Sequence, residues 1–182
     1  MTIETLARQG QTEIHGSMAS SILARVGEIR KENLQQCFLD FQNIENRLEE
    51  VANIHGISFI NDSMATNINS TWYALESMIK PVIWMAGGAG ARNDYSLLSG
   101  LVSEKVKAII CLGMDNENVL SAFLPLNKPV TETQSMEEAV ELAYFLGKKG
   151  DVVLFSPGCA SFDLYRNYEE RGSEFRKAVR NL

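Results

Sequence analysis

The sequence is poor in the residues that carry most metal and redox chemistry. In 182 residues there are two histidines, His15 and His55, and three cysteines, Cys37, Cys111 and Cys159. An odd number of widely spaced cysteines in apolar surroundings excludes a disulfide framework and reads as small buried hydrophobes in a reducing compartment. Neither histidine has metal-ligand spacing to another His, Cys or carboxylate cluster, so no metal site is expected from this chain alone. No apolar run approaches the roughly 20 residues that span a bilayer, and the first ten residues lack the apolar centre of a signal peptide. A cytoplasmic location is therefore expected. Acidic residues outnumber basic ones, 23 to 17, and no long basic stretch interrupts this balance. A nucleic-acid partner or a membrane surface is excluded on that ground. Internal repeats and low-complexity stretches are absent as well.

What remains is an ordinary globular composition, 45% apolar and 22% charged, which excludes disorder, collagen and coiled coil. In residues 1–50, Met18, Ala19, Ile22, Leu23 and Val26 recur at helical spacing, and Leu34, Cys37, Phe38 and Phe41 repeat the pattern. Two short amphipathic helices cannot form a core by themselves and must lean on a neighbour. From residue 51 the pattern changes. Val51–Asp62 predicts two short strands around a His55–Gly56 turn. Apolar runs at Pro81–Ala86, Val106–Leu112 and Asp151–Phe155 suit parallel strands covered on both faces, with a shorter strand near Pro129–Thr131. Ser135 and Glu138 make a capping box for a helix that Gly147 ends. This alternation predicts a doubly wound α/β architecture: a mostly parallel sheet with helices on both faces, preceded by two helices.

Ligands of such sheets sit beyond the carboxyl ends of the strands. Three polar or glycine-rich loops fall there: Asn61–Asn67, Gly87–Asp94 and Ser156–Asp163. The glycine-rich run fits neither a GxGxxG fingerprint nor a Gly-Lys-Ser/Thr phosphate loop, and taken alone it fits a ligand-free turn as well as a binding loop. Arg92 within it could bind a carboxylate or a phosphate, although a solvated arginine is the commoner case. Asp62 or Ser63 is expected to cap the following helix. Cys159 has no histidine partner by spacing and reads as a buried thiol. Arg166, Arg171, Arg176, Lys177 and Arg180 alternate with glutamates, as on a solvated helix face.

Taken together, the loops resemble one family. Asn61–Asn67 (NDSMATN), the Gly87–Gly88 turn and Ser156–Phe175 (SPGCASFDLYRNYEERGSEF) resemble the Mur ligases of peptidoglycan synthesis, within them the branch that adds D-glutamate. The usual forms there are NDSKATN and SPxxASxDxFxxxxxRGxxF. The resemblance implies that residues 51–182 are a Rossmann-like C-terminal ligase domain and residues 1–50 a helical remnant of a central ATPase domain. It implies an ATP- and magnesium-dependent reaction in the complete enzyme, in which the carboxylate of UDP-N-acetylmuramoyl-L-alanine is activated as an acyl phosphate and attacked by the amino group of D-glutamate. Neither cofactor is expected to bind this chain tightly, because the phosphate loop is missing, and the chain is expected to be inactive alone. Carried over position by position, Thr66, Ser161, Phe162 and Tyr168 would hold D-glutamate, and Arg47 and Asp62 would meet the nucleotide. No residue is assigned a catalytic role.

Departures from the family pattern are specific. Met64 and Ala91 stand where lysines are expected, Asn46 where a histidine is, and Thr12, Glu13 and Gly16 where His, Asn and Asn are. A second reading follows from them: a non-catalytic relative, a degenerate paralogue or an engineered domain that serves as a binding or interaction module. The helical segment could also pair two copies of the chain into a homodimer.

Overall fold

The computed structural model describes residues 45–88 and 93–182. The two helices expected within residues 1–50, and Ala91 and Arg92 of the glycine-rich loop, lie outside the described residues. The rest folds around a six-stranded sheet of order β1-β2-β6-β3-β4-β5. Its strands are β1 (Glu49–Ile54), β2 (Ile57–Asn61), β3 (Val82–Ala86), β4 (Val106–Leu112), β5 (Val130–Thr133) and β6 (Val152–Phe155). β1 runs antiparallel to β2, and every other pairing is parallel. Helices α1 (Ile68–Ser77), α2 (Ser99–Lys105), α3 (Glu117–Phe123), α4 (Met136–Leu146) and α5 (Tyr168–Arg180) complete the fold. This is the Rossmann-like α/β arrangement expected from the strand–helix alternation. No helix among the described residues is long and apolar enough to cross a membrane.

The physical basis of each element is visible in its residues. β3 and β6 are buried at every position, which is why they read as continuous apolar runs. One face of the sheet packs Trp84, Ile109 and Leu154 against Leu75 of α1, Val102 of α2 and Phe123 of α3. The other packs Met85, Ile110 and Phe155 against Val140 of α4 and Phe175 of α5. The β1–β2 hairpin turns at His55 (φ 51) and Gly56 (φ 86). Positive φ at both central residues matches the right-handed twist of the flanking strands. Lys107 interrupts the pairing of β3 with β4 as a bulge, and its ammonium reaches the Asp151 carboxylate at 2.5 Å.

Two local details differ from expectation. The capping box of α4 is half formed: Ser135 Oγ accepts from the Glu138 N–H at 3.3 Å. The Glu138 carboxylate takes the Thr133 hydroxyl instead of returning to the Ser135 N–H, because Thr133 Oγ1 already accepts from that amide at 3.1 Å. The cap of α1 is neither Asp62 nor Ser63 but Asn67, whose Oδ1 accepts from the Ser70 N–H at 3.0 Å. Asp62 and Ser63 are buried and engaged elsewhere.

Candidate functional site

The parallel strands present their carboxyl ends along one edge, and the loops that leave β2, β3 and β6 meet there. The Gly158 N–H donates to Ala65 O at 3.0 Å, and the Gly87 N–H donates to Pro157 O at 3.1 Å. The Cys159 thiol donates to Gly87 O at 2.7 Å. Gly87 (φ 106) and Gly88 (φ 125) both lie in the left-handed region. A Cβ on Gly88 would sit 2.8 Å from Cys159 Sγ and 2.9 Å from Ala160 O, so only glycine lets the two loops approach so closely. The loop after β4 joins them: the Met114 N–H donates to Asp163 Oδ2 at 3.1 Å. Beside Gly87, Asn116 Oδ1 is buried without a hydrogen-bond partner.

Arg171 corrects the sequence reading most sharply. Its side chain is buried and not on a solvated helix face, with 2% of the residue exposed. Its Nε–H donates to Ser63 Oγ at 3.1 Å, Nη2 donates to Ser63 O at 2.9 Å, and Nη1 donates to Cys159 O at 3.1 Å. The Ser63 hydroxyl in turn donates to Tyr168 O at 2.8 Å. Burial lowers the pKa of Arg171, and the nearby Asp163 carboxylate acts in the opposite direction. Arg176 also departs from a solvated face, bonded to Asn46 Oδ1 and Glu49 Oε2, each at 3.0 Å. A signal for Arg171 did exist, since at helical spacing it shares a face with Phe175 and Ala178, both buried.

The residues expected to hold an amino acid lie on these same elements. Thr66 is exposed on the loop after β2, one residue from the Ala65 carbonyl that Gly158 binds. Ser161 is buried on the loop after β6, and Phe162 beside it is 75% exposed. Phe162 lines an open depression of about 400 Å³ together with Asp163, Leu164, Tyr165, Arg166 and Glu170. Tyr168 opens α5, and a hydrogen bond to Glu169 holds its phenol above the usual value. Thr66 does not line that depression. Burial raises the Cys159 thiol to about 11, in keeping with a buried thiol rather than a nucleophile.

Arg47 and Asp62 share another corner of the edge. The Leu48 N–H donates to Asp62 Oδ1 at 3.3 Å, and the Ser156 hydroxyl donates to Asp62 Oδ2 at 2.7 Å. Burial raises the Asp62 carboxyl to about 7, opposed by those two hydrogen bonds and by the charge of Arg47. Both of its oxygens are thus engaged within the protein.

The model of the Mur ligase family, glutamate ligase domain, matches residues 46–159. The UDP-N-acetylmuramoylalanine–D-glutamate ligase of Christiangramia forsetii is 50% identical over 182 residues, which is 100% of this chain and 41% of the relative. The ligase of the same name from Bacteroides fragilis is 49% identical over 183 residues, again 100% of this chain and 41% of the relative. The chain thus spans about two-fifths of the length of the curated relatives it matches. Among solved structures, the UDP-N-acetylmuramate-alanine ligase of Thermotoga maritima superposes with a TM-score of 0.50 at 10% identity, over 78% of this chain and 31% of that one. At that identity the likeness concerns the fold alone.

Proposed function

From the premise that the chain belongs to the Mur ligase family through its glutamate ligase domain, we propose that it is the amino-acid-binding part of an ATP-dependent, D-glutamate-adding peptidoglycan ligase and does not ligate by itself. In this reading residues 51–182 are the C-terminal ligase domain and residues 1–50 the remnant of the central ATPase domain, with β1, which begins at Glu49, straddling the boundary. The observation that carries it is the meeting of the β2, β3 and β6 loops at one sheet edge, in a chain alike along its whole length to D-glutamate ligases. Thr66 and Ser161 supply hydroxyls, and Phe162 supplies a main-chain N–H, to a carboxylate of D-glutamate. Tyr168 supplies an aromatic wall. Arg47 neutralises phosphate charge of the nucleotide, whereas the buried Asp62, with both oxygens engaged within the protein, holds the Leu48 and Ser156 sides of that corner together. A bound nucleotide and magnesium would activate the carboxylate of UDP-N-acetylmuramoyl-L-alanine. Among the described residues no group of three or more His, Cys, Asp or Glu could hold a metal ion, and the sequence has no Gly-Lys-Ser/Thr loop. The described residues do not form a nucleotide–metal cradle, and no chemical step is assigned to them. Their part is orientation, which contributes much of the rate of phosphoryl-linked reactions.

Two measurements test the reading. Phosphate release from ATP in the presence of UDP-N-acetylmuramoyl-L-alanine and D-glutamate should stay at background, and turnover above it would refute inactivity alone. Calorimetric titration should give millimolar or tighter D-glutamate binding. Hydrogen bonds to a charged group contribute roughly 1.5–3 kcal/mol, so Thr66→Ala and Ser161→Ala should each weaken binding about ten- to a hundredfold. Absence of any binding would favour the second reading, a non-catalytic binding or interaction module. The observation behind that alternative is Met64, 43% exposed at a position where the family pattern has lysine.

A further inference from the structure

Arg171 carries an unusual set of bonds for a buried cation. No carboxylate is among its hydrogen-bond partners, which are a hydroxyl and two main-chain carbonyls. Desolvating a guanidinium is costly, the nearby Asp163 carboxylate makes no hydrogen bond to it and only partly offsets that burial, and an apolar side chain of similar volume often serves stability as well or better. Stability is therefore a poor account of an arginine here. Its geometry suits another task. A guanidinium is a rigid planar fork, and this one holds Ser63 O on the loop after β2 and Cys159 O on the loop after β6. Through the Ser63 hydroxyl it also reaches the Tyr168 carbonyl at the start of α5. Its Nη1 would lie 3.5 Å from a Cβ at Gly88, which places the loop after β3 against the same group. Those elements carry Thr66, Ser161, Phe162 and Tyr168, while Arg171 itself is 2% exposed.

We propose that Arg171 is the positioning residue of this site: a clamp, not in contact with the ligand, that fixes the separation of the loops carrying the carboxylate-binding groups. The ligand half of this proposal rests on the amino-acid reading of the site, whereas the clamping half stands on the geometry alone. Lysine keeps the charge but offers one point in place of a fork, so Arg171→Lys in the full chain is the test. Amide hydrogen exchange should accelerate roughly tenfold or more at residues 62–66 and 158–161, while Trp84 and Ile109 keep their wild-type protection. At a temperature where the variant is fully folded, D-glutamate affinity should fall by roughly tenfold or more. Unchanged loop exchange, an equal rise across β3 and β4, or unchanged D-glutamate affinity would each overturn the proposal. If wild-type protein does not bind D-glutamate, the functional reading fails, and loop exchange alone decides the clamp. Should Arg171→Lys not fold, Ser63→Ala decides. It cuts the link to Tyr168 but leaves both carbonyl contacts, so exchange should rise at residues 167–169, and no rise there would refute the proposed connection.

Discussion

At the residue scale, Asp62 has its carboxyl removed from water, with 5% of the residue exposed, and meets one amide and one hydroxyl. Burial outweighs both, and the pKa rises from 3.8 to about 7. The unfolded chain then releases this proton near pH 4 and the folded chain only near neutrality. Between those values the unfolded state binds fewer protons, so stability falls as pH rises. The contribution of Asp62 is complete below the unfolded value and lost as pH climbs through about 7. Asp62→Asn is neutral throughout and should remove that slope, which is at most about 1.4 kcal/mol per pH unit. Urea midpoints at pH 5 and pH 7.5 check this: the variant should gain on wild type at the higher pH, and parallel behaviour would contradict the buried-carboxyl account. The sequence shows Asp62 as one of several short polar residues after a strand and suggests a helix cap. The desolvation could not be read there, because Ser156 and the segment around Leu48 that close over the carboxyl are distant in sequence.

At the scale of the element, α5 shows how packing overrides helix propensity. Replacing a glycine inside a helix by alanine ordinarily stabilises by roughly 0.5–1 kcal/mol. At Gly172 the added Cβ would collide with the side-chain amide of buried Asn46. That amide oxygen accepts from Asn61 Nδ2 at 3.2 Å and from Arg176 Nη1 at 3.0 Å, so it cannot withdraw without breaking both bonds. Gly172→Ala should therefore destabilise by about 1–3 kcal/mol, with Ser173→Ala, an exposed neighbour on the same helix, staying within about 0.5 kcal/mol of wild type. Denaturant unfolding of the two variants side by side is the check, and a stabilised Gly172→Ala would refute the collision. Elements governed by near-neighbour pattern were legible in the same way that this collision was not. The His55–Gly56 hairpin, the apolar runs of β3, β4 and β6, and the Gly147 stop of α4 all follow from local residues. The reciprocal half of the Ser135–Glu138 box and the burial of Arg171 depend on contacts from other elements, and there the local pattern misled.

For the whole molecule, the strand–helix alternation specified the layers and the edge on which loops gather, but not the strand order, since placing β6 between β2 and β3 is a long-range choice. Both apolar layers among the described residues are closed by helices of residues 68–179, which gives that body a core of its own. The apolar stripes of Met18–Val26 and Leu34–Phe41 still require a surface to bury them, on the same chain or on a second copy. A second copy of the chain can supply it, through a pairing of identical stripes about a two-fold axis. A chain beginning at residue 45 should consequently unfold in one cooperative step and run as a monomer in light scattering. The full chain should run as a dimer whose unfolding midpoint rises with protein concentration, because association stabilises by mass action. Monomeric full-length protein with a concentration-independent midpoint would refute pairing through residues 1–44. Failure of the shorter chain to fold would instead mean that the sheet and its five helices depend on that segment for stability.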